Sequence, residues 1–355
     1  MIARRVRRVL VVVFVAAIAA GLAAQAPRPS LPERLSDADF WALSQSSSEG
    51  GGYFRGENIT NLTSNELWFQ YVIPDLVART KPGNVYLGVG PEQNYTYMVA
   101  TRPRFAVIFD IRRGNLDLQL MYKAIFELSK DRPAFLSMLF SKPVPAGVSA
   151  KSTAAELFSA FAASQTSQTL YEQHLKAIEQ HLTKTHALPL TADDLAGLEA
   201  VYQAFYSNGF YVRSSPSYAD LMTATDAAGV SRSYLATEEG FQLLKDLESR
   251  NLVLPVVGDF GGPKAIRAIG TYLKARGATV AAFYLSNVEQ YLYQDGKWDA
   301  FCRSVATLPL DTSSTFIRSS SGGGGYGRGG GFVSSLGAMA AETRGCTAGG
   351  VGLVR

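Results

Sequence analysis

Apolar residues in this chain fall into two rhythms, short unbroken runs and helically spaced stripes, and their alternation sets the expected fold. Val85, Tyr86 and Leu87 form a run that breaks at Gly88-Val89-Gly90, and a helical stretch follows over 92–101. The next run, 105–109, ends in Asp110. After Gly114, Leu116, Leu120, Ile125 and Leu128 recur at helical spacing. Residues 132–230 suspend the alternation with helical stretches at 154–163, 170–182 and 195–205, then aromatics at Tyr206, Phe210, Tyr211 and Tyr218. They read as a helical insertion packed over one end of a sheet. Alternation resumes with a short strand at 233–236, a helix over 237–250 and a buried strand at 252–257. A helix runs from Pro263 to Arg276, stopped by Gly277, and a strand follows at 279–285. Asn287 is expected to cap the short helix that follows, and 298–307 should pair with 314–319 as a closing antiparallel hairpin. Buried runs alternating with helices predict an α/β fold with a mostly parallel sheet and helices on both faces.

The ends of the chain read differently. Arg4, Arg5, Arg7 and Arg8 precede an apolar stretch over 9–20 and then small residues, the layout of a signal peptide spanning 1–26. Export to the periplasm or beyond is the expectation, and an uncleaved N-terminal membrane anchor is the alternative. Those four arginines carry the whole formal charge of +4. The remaining chain is balanced, which argues against nucleic acid as a partner and leaves membrane contact only to an uncleaved N-terminal segment. Apolar content of 47% allows a sizeable core. Residues 27–56, with Pro27, Pro29 and Pro32, predict a linker or arm of little regular structure. Thr63 and Glu66 have capping-box spacing, so a helix is expected to run to about Arg79, kinked at Pro74. The only cysteines, Cys302 and Cys346, predict a disulfide in an oxidising compartment, pinning a mobile glycine-rich tail over 320–355.

A strand, a glycine turn, a helix and a second strand closing on an acid is an arrangement used by nucleotide-binding folds. With this element order, residues 60–319 resemble the class I S-adenosylmethionine-dependent methyltransferase fold, a Rossmann-like sheet. The resemblance implies cofactor contacts from Gly88 and Gly90 in the first loop and from Asp110 at the ribose. It places Asp259, just past the presumed fourth strand, at a substrate- or cofactor-facing position. Two positions depart from the family pattern. Tyr86 stands where an acid is usual, and Glu92 where a third glycine is usual. The cofactor stays open: the resemblance implies S-adenosylmethionine, and export would separate the protein from the cytoplasmic pool of that donor.

Each candidate residue has two readings. Asp110 either recognises ligand hydroxyls or pairs with Arg112 or Arg113 at the turn. Asp259 either faces the same crevice or bonds to the amides of Gly261 and Gly262. Glu92, with Gln93 and Asn94, either contacts a ligand or supports the helix dipole. The loop Gly56-Glu57-Asn58 either closes over the pocket or is a surface turn. His174, His181 and His186 read as surface or packing residues, with no acid at a metal-binding spacing, and no metal is expected. Acid–base work would fall to Asp, Glu or Tyr, Tyr95 and Tyr97 for example, since no histidine lies near a strand end. Three functions remain: an exported protein binding a small hydroxylated or nucleotide-like ligand, a true methyltransferase, or a non-catalytic module acting on a protein partner.

Overall fold

A computed structural model describes residues 30–52, 61–321 and 332–347. The expected signal segment and the loop Gly56-Glu57-Asn58 lie outside the described residues. Six strands form one sheet: β1 (Val85–Val89), β2 (Phe105–Asp110), β3 (Val253–Val257), β4 (Val280–Ser286), β5 (Thr315–Ser321) and β6 (Phe332–Ala338). Their order is β3-β2-β1-β4-β5-β6, with β6 antiparallel to β5 and every other pair parallel. This is a Rossmann-like α/β sheet whose order reverses between β1 and β4.

Every residue of β2 and β3 is buried, as strands covered on both faces require. Helices Gln93–Thr101 and Glu238–Ser249 pack on one another, and the second also packs on Arg113–Leu128. Helix Ala265–Ala275 packs with Trp298–Val305 and with Asp37–Ser47. Phe135 of the helical block packs against Phe126 and Phe241, on the helices Arg113–Leu128 and Glu238–Ser249, and against Tyr234, the rings meeting at tilted or edge-on angles. Such ring pairs stabilise by roughly 0.5–1.5 kcal/mol each beyond their buried area.

Several expectations need correction. Residues 233–236 are a turn, and their apolar character reflects the buried Tyr234 and Leu235. The run at 252–257 is therefore the third strand, and it lies at the edge of the sheet. Pro255 was the available signal, because proline cannot donate to a ladder and is confined to edges. Residues 298–305 are helical: Trp298, Phe301 and Val305 recur at helical spacing, and Phe301 stacks on Phe260. The antiparallel partner of β5 is instead β6, drawn from the stretch expected to be a mobile tail. No capping box forms at Thr63 and Glu66, and Pro74 sits in the first turn of helix Ile73–Arg79, where it costs no hydrogen bond.

The arm also holds more structure than its composition predicts. Ser36 caps helix Asp37–Ser47, which buries Phe40. Beyond it the arm covers the open edge of β3: Ser48 Oγ accepts from Val257 N at 3.0 Å, and Glu49 N donates to Val257 O at 2.8 Å. An uncovered edge would offer these groups to another chain. Glu49 then accepts from the amides of Lys264 and Ala265 at the start of helix Ala265–Ala275, both at 2.8 Å.

Cys302 and Cys346 form a disulfide with Cα atoms 5.4 Å apart, tying helix Trp298–Val305 to the chain beyond β6. The bond spans 44 residues of sequence. Chain-entropy arguments give such a loop about 4 kcal/mol of stabilisation. Cys302→Ser should lower stability by about that amount in urea unfolding, with hydrogen exchange rising first across 332–338. An unchanged midpoint would contradict this.

Candidate functional site

The carboxyl ends of four strands converge on one crevice with a cavity of about 190 Å³. In open α/β sheets the point where strand order reverses leaves a gap, because neighbouring connections depart in opposite directions. Here Gly90 follows β1, Asp110 ends β2, Asp259 follows β3 and Ser286 ends β4, and all four line the crevice. The loop carrying Asn61, Ser64 and Glu66 closes it from the side. Three of these residues hold left-handed backbone: Asn61 at φ 62°, Gly90 at φ 77° and Ser286 at φ 51°. Left-handed backbone in residues other than glycine costs about 1 kcal/mol or more and persists only where the surroundings hold it in place. At Ser286 the hold is a 2.6 Å hydrogen bond from its Oγ to Glu66.

Glu66 is the hub. It is 1% exposed and accepts from Tyr284 OH at 2.9 Å, from Ser286 Oγ and from Gln93 Nε2 at 2.8 Å. These donors are all neutral, and no cation lies in ion-pair range of Glu66 among the described residues. With these three partners the carboxylate retains capacity for a further donor on Oε2.

The glycine loop is closed from within. A Cβ on Gly88 would sit 1.8 Å from Asn94 Oδ1, so this glycine makes room for the protein's own Asn94. Asn94 accepts from Tyr86 OH at 2.9 Å and donates to the carbonyls of Val89 and Pro91 at 2.9 and 2.7 Å. Tyr86, standing where the resembled family has an acid, is thus the partner that orients Asn94. Gly88 does not line the crevice, whereas Gly90 does. Glu92 does not line it either. Its carboxylate is fully buried at the N-cap of helix Gln93–Thr101, where it accepts from Ser64 N at 3.1 Å and from its own amide and makes no side-chain cap on the helix. Burial pushes its pKa up to about 7, against the lowering effect of those two amides.

Asp110 and Asp259 both reach the crevice, each with a basic partner. Asp110 is buried and receives Arg112 through Nε at 3.0 Å, Nη2 at 2.8 Å and the backbone amide at 2.9 Å. Removing one member of such a buried pair is costly, because the other is left uncompensated. Asp259 pairs with Lys297 at 2.5 Å and accepts from Gly261 N at 2.8 Å; Gly262 N goes to the Asp259 carbonyl instead. The hydrogen bond that Lys297 donates to Asp259 raises the pKa of Lys297. Asn287 lines the crevice but makes no side-chain cap on its helix.

Tyr95 and Tyr97 are fully buried outside the crevice, and burial drives both hydroxyls away from ionisation. They are core residues, placed too deep for acid–base work in the crevice. Glu66, Ser286, Arg112 and Lys297 were missed as crevice residues. Glu66 carried a capping-box spacing that pointed elsewhere, and the other three are brought to the crevice only by tertiary structure. The histidines lie in the helical block. His181 pairs with His186 and both meet Glu127, an acid 54 and 59 residues away from them in sequence.

A family model described as Domain of unknown function (DUF7790) matches residues 59–331, which take in β1 to β5, the helical block and every crevice residue named above. No curated protein matches the chain.

The Glu92 carboxyl predicts a pH effect. Its folded pKa lies above its ordinary value of 4.5, so the folded state binds the extra proton and stability falls as pH rises from about 4.5 to 7. Glu92→Gln should remove this component, gaining on the order of 2 kcal/mol relative to wild type between pH 5 and pH 8 in urea unfolding. An equal pH dependence in both proteins would contradict the assignment.

Proposed function

The chain belongs to the DUF7790 family, and we propose that its crevice binds a small hydroxylated molecule, neutral or cationic, such as a sugar or nucleoside. The observation that carries this reading is Glu66, a buried carboxylate facing the cavity with neutral donors around it and room for one more. A ligand hydroxyl or amine is the group such an acceptor takes. Of the charged residues lining the cavity, Glu66, Asp110, Asp259 and Asp295 outnumber Arg112 and Lys297. That balance disfavours phosphorylated nucleotides, and Phe260, Tyr284 and Tyr291 supply the apolar faces on which a ring can rest. Asp110 and Asp259 act here with their basic partners, as hydroxyl-recognising pairs.

Use of S-adenosylmethionine would be the finer reading of the Rossmann-like order. The internally closed glycine loop and the buried Glu92 carboxyl at the helix start weigh against it, since that position disfavours a second carboxylate from the donor. Export is part of the proposal, supported by the N-terminal arginines with their apolar stretch and by the disulfide. Among the described residues, no helix is long and apolar enough to cross a membrane.

A thermal-shift panel of sugars, nucleosides, nucleoside phosphates and S-adenosylmethionine tests the reading, followed by calorimetry of any hit. A nucleoside or sugar should stabilise the protein saturably. Glu66→Gln should then weaken it tenfold or more, as losing a charged hydrogen bond of about 1.5–3 kcal/mol requires. Stabilisation by S-adenosylmethionine alone, or full binding by correctly folded Glu66→Gln and Asp259→Asn proteins, would overturn it.

A further inference from the structure

His181 and His186 flank a single π turn, in which His186 N donates to His181 O at 3.0 Å. An α-helical path would carry residues five apart to different sides, whereas the wider turn brings these rings within 4.8 Å, edge to face. Such turns occur often at functional sites. Both Nε2 atoms lie 2.7 Å from one oxygen, Glu127 Oε2, at the end of helix Arg113–Leu128. The other Glu127 oxygen is held by Lys123 Nζ at 2.6 Å. On the far side of its ring, His186 Nδ1 lies 2.6 Å from Asp37 Oδ1 on the arm helix.

Hydrogen bonds alone account for this arrangement only if Glu127 Oε2 accepts a proton from each ring while His186 carries protons on both nitrogens between two carboxylates. A bound cation satisfies the same atoms with neutral rings. Each Nε2 then presents its lone pair to one point, Glu127 binds through a single oxygen, and His186 Nδ1–H donates to Asp37. A carboxylate behind a ligating histidine is the usual means of fixing its tautomer and orientation. Two imidazoles and one carboxylate suit Zn²⁺ and neighbouring divalent transition metals, and leave a fourth position for water. Tetrahedral ligands at about 2.0–2.1 Å stand about 3.3 Å apart, so the rings need to retreat by only about 0.6 Å.

We propose that Glu127, His181 and His186 form a divalent transition-metal site of the Zn²⁺ class, with Asp37 as its orienting carboxylate. The three side chains are only 8–14% exposed, so the site admits an ion but no sizeable substrate. Its place between the arm helix, helix Arg113–Leu128 and the π turn makes it a clamp that fastens the arm to the helical block.

The test uses the full chain with its disulfide intact, stripped by a chelator and titrated with Co²⁺ as the spectroscopic probe. One equivalent should bind with the visible absorption of a four-coordinate site, and Zn²⁺ should displace it. His181→Ala and His186→Ala should abolish the band, Asp37→Asn should weaken binding about 10–100-fold, and His174→Ala should bind like wild type. Should the histidine variants fail to fold, the wild type decides: Zn²⁺ should protect His181 and His186, but not His174, from diethyl pyrocarbonate, mapped by peptide mass. Absence of stoichiometric binding, retention of the band in folded histidine variants, or equal modification of all three histidines with and without Zn²⁺ would overturn the proposal.

Discussion

A carboxylate removed from water must be met by donors or it forces the structure around it to change, and Glu66 imposes that condition on the crevice. Its three hydrogen bonds reach β4 through Tyr284 and Ser286, and the helix after β1 through Gln93. Ser64 binds that same helix through Glu92 and Gln93. The loop 61–66, which has no regular structure of its own, is thereby fixed across the point where strand order reverses. Ser286 holds its left-handed backbone within this network. The closing wall of the crevice, its floor and its most demanding acceptor thus belong to one hydrogen-bonded unit.

The same unit explains how a Rossmann-like strand order coexists with an altered first loop. In the resembled fold, glycines after the first strand leave backbone amides open to a ligand. Here Asn94 fills the space beside Gly88 and ties down the loop carbonyls, while the Glu92 carboxyl lies buried at the helix start. What lines the crevice is the ring of strand-end residues: Gly90, the Asp110–Arg112 pair, the Asp259–Lys297 pair and Ser286. On the proposed reading, recognition shifts from backbone amides to side-chain carboxylates, and the favoured ligand from anionic to hydroxylated or cationic.

Much of this was legible in the sequence where a local rule applied. Unbroken apolar runs marked β1 to β4, and Asp110 and Asp259 stand at strand ends facing one crevice because the parallel arrangement puts every carboxyl end on the same side. Legibility failed where a residue's meaning depends on distant partners. The edge position of β3 was written in Pro255 and overlooked, and an amphipathic stripe at 298–305 was mistaken for a strand. β6 was hidden beside a glycine-rich stretch whose composition suggested no order. Spacing rules are local, so they could not bring Glu127 to His181 and His186, nor Glu66 to Ser286. The π turn that brings His181 and His186 together leaves no mark in the spacing either, because it changes which residues share a face.

Beside the closed glycine loop, Glu66 is the proposed anchor of a small-molecule site. Native mass spectrometry of the chain, purified gently from the compartment in which it matures, tests that claim most directly. A non-covalent small-molecule adduct is expected on the wild type and absent from folded Glu66→Gln protein. A bare protein mass for the wild type, or an adduct that survives in the variant, would contradict it.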